Sequence, residues 1–348
     1  FGIRGLADRI EEMGMKFGLW FEPEMVNKDS DLYRAHPDWI LQTPKRNSCS
    51  GRNQYVLDFS RKEVVDCIYD MMYRILSEAK ISYIKWDMNR SITECYSAAL
   101  PADRQGEVFH RYILGVYDLY ERLNTAFPQI LFESCASGGG RFDPGILYYA
   151  PQGWTSDDTD AAERVKIQYG TSMCYPVSSM GSHVSAIPNH QLNRSTPLHT
   201  RANVAYFGTF GYELDLNKLS DEEICQVKEQ ITFMKKYREL IQFGNFYRLK
   251  SPFEGNETVW MTVSQDKKNA LVFWYRERNL VNADYTRVRL QGLDPDLIYK
   301  NEYNGIENYG DELMNLGLLT TDGTAGEPTC EDAPCTDYES RIYVLTAR

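Results

Sequence analysis

The sequence predicts an α/β fold: a (β/α)8 TIM-type barrel with about six of its eight strands present, followed by a small C-terminal antiparallel β domain. Three observations carry this expectation. Short apolar runs alternate with helix-period segments over residues 1–245, which argues a parallel sheet with crossover helices. The unusual polar residues collect at the C-terminal ends of those runs, where such a barrel keeps its chemistry. From about residue 246 the apolar period changes to two, as in half-buried strands. The expected domains are 1–245, a partial catalytic barrel, and 246–348, a β-sandwich-like domain.

Taken in order, Ile3, Leu6, Ile10 and Met13 follow helical spacing. Residues 16–21 read as a buried strand. Ser60 and Glu63 predict a capping box ahead of a helix to about Ala79, with Val64, Ile68, Met71 and Ile75 on its inner face. Residues 83–87 form the next strand. A long helix follows near 106–127, stopped by Pro128. Residues 130–134 and 153–156 read as further strands, and a helix is expected near 161–171. The last two barrel strands are placed near 173–177 and 202–207. Ser220 and Glu223 cap a final helix carrying Ile224, Val227, Ile231 and Met234, and Gly244 ends it. In the C-terminal part, 258–263, 271–275, 286–290 and 341–345 read as strands, and 304–337 as loop.

The chain of 348 residues is 43% hydrophobic and 13% aromatic, enough to bury a large core. Its net charge of −11 argues against nucleic acid and against an anionic membrane. No run reaches the apolar length of a membrane span. The chain opens at Phe1, inside a helical pattern, so a preceding segment is expected to be missing. The eight Cys show no CxxC pairing and read mostly as buried free thiols; Cys330 and Cys335 are close enough in sequence to bridge. The five His show no HxxxH or HxH pairing. No metal and no cofactor is expected.

Two runs carry the chemistry. In KWDMNR (85–90), Lys85, Asp87 and Asn89 share one face of a strand. A lysine beside Asp87 favours the ionised carboxylate, the form a nucleophile needs; the alternative is a solvated pair at a strand end. In SDDTD (156–160), Asp157 follows a strand, whereas Asp158 and Asp160 could cap the next helix. Crowded carboxylates raise one another's pKa, which suits a proton donor. The residue pattern leaves the choice between Asp157 and Asp158 open. Two carboxylates facing one cleft suffice to split a glycosidic bond. Trp20 ends its strand and either stacks on a sugar ring or fills core. Arg52 sits in a turn that either folds over the cleft or stays at the surface. Cys135 opens a glycine-rich segment and reads as pocket lining; the triple glycine 138–140 permits close approach of backbone to a ligand. His183 and His190 lie on a later loop with no mechanism assigned.

At this point the sequence resembles the α-galactosidases of glycoside hydrolase family 36. The matching runs are GLADRIEEMGMKFGLWFEPEMV (5–26), KWDMNR (85–90), ESCASGGGRFD (133–143), WTSDDTDA (154–161) and GSHVSAIPNHQ (181–191). The resemblance implies a retaining mechanism with Asp87 as nucleophile and Asp157 as acid/base. It implies that Lys85 and Asn89 bind galactose hydroxyls and that Trp20, Arg52 and Cys135 line the substrate pocket. Ser137 stands near a position where relatives carry glycine. The family also has an N-terminal β domain and two preceding barrel strands, which bring a tryptophan and an Asp-Asp pair to the sugar. This chain lacks them, so it reads as a fragment with an incomplete sugar site. The implied activity is hydrolysis of terminal α-1,6-linked galactose from melibiose and raffinose. A raffinose-synthase-like transferase or an α-N-acetylgalactosaminidase is the alternative, and a non-catalytic sugar-binding module is the rival from another class. The implied partner is a small α-galactoside, with a homo-oligomer and a cytoplasmic location expected for the complete protein.

Overall fold

A computed structural model describes residues 2–281, 285–320 and 337–348. Packing divides the chain into two compact units, Phe1–Asp157 and Asp158–Arg348. Cys330 and Cys335, close enough in sequence to bridge, lie outside the described residues.

In the first unit α1 (Gly2–Glu12) leads into β1 (Phe17–Phe21). A short antiparallel ribbon of β2 (Met25–Asn27) and β3 (Gln54–Val56) follows, with α2 (Asp31–Ala35) between its strands. Then come α3 (Lys62–Glu78), β4 (Ile81–Trp86), α4 (Val108–Ala126), β5 (Leu131–Ser134), α5 (Pro144–Tyr149) and β6 (Gln152–Trp154). Strands β1, β4, β5 and β6 pair in parallel in that order. Their helix-side residues, including Ile84, Trp86 and Phe132, join Val64, Val116 and Leu119 in one core.

The second unit holds α6 (Ala161–Ser172), β7 (Met180–Ser185), α7 (Leu198–Ala205), β8 (Thr209–Glu213) and α8 (Asp221–Phe243). Strands β7 and β8 pair in parallel. The C-terminal part adds β9 (Asn245–Lys250), β10 (Glu257–Val263), β11 (Asn269–Arg276), β12 (Arg287–Val288), β13 (Ile298–Asn301), β14 (Glu307–Tyr309), α9 (Gly310–Asn315), β15 (Leu318–Leu319) and β16 (Glu339–Ala347). Six of these form an antiparallel sheet in the order β14-β13-β16-β11-β10-β9.

Several expectations are corrected. The strands placed at 173–177 and 202–207 are misplaced. Residues 202–205 belong to α7, whose residues are buried almost all round, so its apolar run carries no helical stripe. The true strands, MGSHVS and TFGYE, are short and rich in small and polar residues. β1 is only half-buried, and Trp20 is 49% exposed. The capping box at Ser60 does not form: α3 starts after Arg61, the Ser60 hydroxyl donates to Asp58, and Glu63 accepts from Arg61. Met71 faces out, while Val65, Met72 and Leu76 are buried on α3. Of the six described free Cys, Cys49, Cys95, Cys174 and Cys225 are exposed. The capping box at Ser220 and Glu223 is present, and Gly244 follows the end of α8. β10 and β11 are buried on both faces rather than one. Trp260, Leu271 and Phe273 pack toward helices α6–α8, and Val259, Met261 and Val272 pack into a second core with Leu290 and Leu313.

Gly115 marks a conflict between helix propensity and packing. It lies inside α4, where a Cβ would overlap the carbonyl oxygen of Phe59. Alanine there gains about 1 kcal/mol of helix propensity. It also forces apart two backbone segments, and overpacking of this kind costs about 1–3 kcal/mol or more. We expect Gly115→Ala to lower the melting temperature of the complete protein. An unchanged or raised melting temperature would contradict this packing.

Candidate active site

The site is built at the C-terminal ends of β1, β4 and β5. The register sets Trp20 beside Lys85, Lys85 beside Glu133, and Glu133 beside Gln152. These four therefore form one row across the sheet, on the face away from the helices. Beyond the row the chain carries Asp87, and its backbone is held from both sides. Its N–H donates to the Phe21 carbonyl at 2.8 Å, and the next N–H, of Met88, reaches the Cys135 carbonyl at 3.1 Å.

The Asp87 side chain is 6% exposed. It accepts from the Trp20 indole N–H at 3.1 Å, the Asn89 amide at 2.7 Å and the Met88 backbone N–H at 2.9 Å. The Cys135 thiol also donates to it. Burial raises the Asp87 carboxyl, but these hydrogen bonds outweigh it and hold the group below its ordinary value. This corrects the source of the charge. The lysine expected to ionise Asp87 pairs instead with Glu133, Nζ to Oε1 3.4 Å, and lies 4.7 Å from the centre of the Trp154 ring. Burial pushes the Cys135 thiol up to about 12, and the neighbouring Asp87 charge adds to this. The thiol stays protonated, as a donor must.

The SDDTD carboxylates separate rather than crowd. Asp157 is exposed and accepts from the Trp154 indole at 3.1 Å. Asp158 accepts the Asp160 N–H at 3.0 Å and sits near Arg164, whose guanidinium burial pushes down to about 10 against the pull of Asp158 and Glu213. Asp160 caps α6 through Ala162 and Glu163 and pairs with Arg194 at 2.5 Å. The glycine segment meets protein backbone. At Gly138, with φ +80°, a Cβ would lie 2.7 Å from Ser156 Cα and 2.8 Å from Asp157 N. At Gly139 it would lie 2.5 Å from the Thr155 carbonyl oxygen. These glycines let the 138–140 loop lie against the segment that carries Asp157. Ser137 has φ +49°, the region glycine favours. His183 pairs with Glu213 at 3.2 Å, and Asn189 bonds Thr159.

Sequence reading missed three carboxylates. Glu24 is fully buried. It takes both terminal guanidinium nitrogens of Arg141 at 2.8 and 2.9 Å, the Trp86 indole at 2.7 Å and the Tyr112 hydroxyl at 2.5 Å. Burial opposes its charge, but Arg141 and these donors hold it below its ordinary value. Glu133 accepts from the Tyr83 hydroxyl and from Gln152 and so anchors Lys85. Glu22 accepts from Asn89, Gln54 and Arg52. The only trace in sequence was the Glu-Pro-Glu step directly after β1.

An ionised aspartate at a strand end, with a second carboxylate at the end of a neighbouring β/α segment, is the equipment of a glycoside hydrolase. Residues 1–244 match the Melibiase family, and residues 257–345 match the glycosyl hydrolase family 36 C-terminal domain. The chain belongs to glycoside hydrolase family 36. It is 55% identical to alpha-galactosidase AgaA of Geobacillus stearothermophilus over 91% of this chain and 43% of that protein. It is 49% identical to alpha-galactosidase 1 of Pediococcus pentosaceus over 99% of this chain and 46% of that protein. The crystal structure of the Lactobacillus brevis alpha-galactosidase superposes with a TM-score of 0.96 at 51% identity, covering 100% of this chain and 46% of that one. An AgaA variant solved in complex with raffinose gives 0.94 at 50% identity, over 100% and 47%. The chain thus spans about half the length of the curated relatives it matches. Among the described residues no helix is long and apolar enough to cross a membrane.

The buried Glu24–Arg141 pair makes a stability prediction. Arg141→Met leaves Glu24 without its counter-ion and should cost about 3–5 kcal/mol near neutral pH. In the native protein the lowered Glu24 value contributes stability above the ordinary glutamate value of about 4.3, lost as pH falls through the folded value. In the variant, burial without the arginine raises Glu24, so its penalty is largest at neutral pH. Chemical denaturation should therefore show a gap that narrows between about pH 7 and about pH 4.5. A gap independent of pH would contradict the pairing.

Proposed function

We propose that the protein containing this chain is a retaining α-galactosidase acting on terminal α-1,6-linked galactose in melibiose, raffinose and related galactosides. The observation that carries the reading is the ionised, buried Asp87, held among neutral donors near Lys85. Asp87 attacks the anomeric carbon while Asp157 gives its proton to the leaving glycosidic oxygen, forming a galactosyl-enzyme ester. Asp157 then takes a proton from water, the water oxygen replaces Asp87 at carbon 1, and galactose leaves with its configuration retained. In this reading Lys85, Asn89 and Arg52 hold the sugar hydroxyls, and Trp20 and Cys135 line the pocket.

Solved AgaA variants support the reading. One carries an aspartate-to-asparagine change and raffinose, another an aspartate-to-alanine change and stachyose. The two positions changed stand as far apart in that chain as Asp87 and Asp157 do here. We assign residues 1–245 to the catalytic part and 246–348 to the β domain. A homo-oligomer and a cytoplasmic location belong to the same proposal and rest on the family resemblance.

The test is turnover of p-nitrophenyl α-galactoside by the complete protein, with the first product followed by NMR. Asp87→Asn should lower kcat by roughly 10⁴-fold or more, and the native protein should release α-galactose first. Native-like turnover in Asp87→Asn, or β-galactose as first product, would overturn the assignment.

A further inference from the structure

We infer that Glu22 is a positioning residue of this site, acting on the nucleophile through Asn89 and on the sugar pocket through Arg52; the inference rests on the reading proposed above. Glu22 lies one residue past β1, and its side chain is 9% exposed. One oxygen accepts from Asn89 Nδ2 at 2.6 Å and from Arg52 Nη1 at 3.3 Å; the other accepts from Gln54 Nε2 at 2.9 Å. The same Asn89 nitrogen donates to Asp87 Oδ2 at 2.7 Å. The Asn89 amide group therefore stands between two carboxylates. Carboxylates only accept, so its nitrogen must face both and its oxygen must turn away. Glu22 fixes the orientation in which Asn89 can be a donor to Asp87.

The second arm is the Arg52 turn. Gly51 and Gln54 exchange backbone hydrogen bonds at 3.1 and 2.8 Å, and Arg52 and Asn53 have φ of 52° and 61°. That is a type I′ geometry, which residues other than Gly, Asn and Asp seldom enter. Arginine at the first central position is a poor local choice. The turn is held from outside instead. Glu22 takes the side chains of Arg52 and Gln54, and Arg90 donates to the carbonyls of Cys49 and Gln54 at 2.9 and 2.6 Å. Glu22 thus joins the Arg52 turn to the strand end that carries Asp87 and Asn89.

The experiment compares the complete native protein, Asp87→Asn and Glu22→Gln on p-nitrophenyl α-galactoside across pH. A glutamine keeps the volume but presents one acceptor oxygen to three donors. Glu22→Gln should fold with a native circular dichroism spectrum and show kcat/KM reduced roughly tenfold or more. Its acid limb of kcat/KM should move to higher pH, because the loss of Asn89 as an oriented donor to Asp87 outweighs the removal of the neighbouring like charge. Glu22→Asp, which keeps the charge, should recover part of the loss. A limb that overlays the native one, with KM within about twofold, would overturn the inference and leave Glu22 a structural residue only. Native protein without turnover would overturn the α-galactosidase reading and this inference with it; turnover lost in Asp87→Asn but native in Glu22→Gln would overturn this inference alone.

Discussion

Asp87 is a carboxylate kept charged in a largely buried position by four donors, none of which carries a full charge: an indole, a thiol, an amide and a backbone N–H. Desolvation alone would push such a group toward its neutral form. The donors reverse that, and they come from separate elements. Trp20 closes β1, Met88 and Asn89 follow β4, and Cys135 follows β5. The charge therefore depends on three strand ends being in register. A neutral donor set also has a chemical advantage over a lysine contact. It stabilises the anion without an ion-pair partner that must be displaced as the carboxylate attacks.

Two further carboxylates keep those strand ends in place. Glu24 ties Trp86 on β4, Tyr112 on α4 and Arg141 on the glycine loop into one buried cluster. A buried ion pair is weak evidence for stability on its own, but breaking one is costly. Here its effect is geometric, because Trp86 immediately precedes Asp87 and Arg141 ends the loop that lies against Asp157. Glu133 fixes Lys85 in the next row down. The glycines from 138 to 140 complete the arrangement. Any side chain at Gly138 or Gly139 would meet the backbone of 155–157.

Much of the architecture was legible in sequence, and the failures have physical causes. The strands at 17–21, 81–86 and 131–134 announced themselves as apolar runs that end in polar residues or are followed by them. Asp87 was named from that pattern; the pattern left Asp157 and Asp158 open, and the family resemblance chose Asp157. Asp160 was a candidate cap because aspartate suits a helix start, and it caps α6. β7 and β8 were missed because MGSHVS and TFGYE are rich in small and polar residues and carry no apolar run. Residues 202–207 were mistaken for a strand because a helix buried on all sides loses its period. The origin of the Asp87 charge was misread because sequence spacing shows which residues share a face, not which neighbour across the sheet takes the lysine. Register decided that: it put Lys85 opposite Glu133. Glu22 and Glu24 had no visible signal beyond their place after a strand, since their partners lie far along the chain.

The claim that neutral donors, not Lys85, set the Asp87 charge is open to one direct measurement: the acid limb of kcat/KM against pH in the complete protein for Cys135→Ala beside Lys85→Met. Loss of the thiol should move the limb to higher pH. Loss of the lysine should lower the rate and leave the limb where it was. A limb that rises in Lys85→Met and stays put in Cys135→Ala would contradict it.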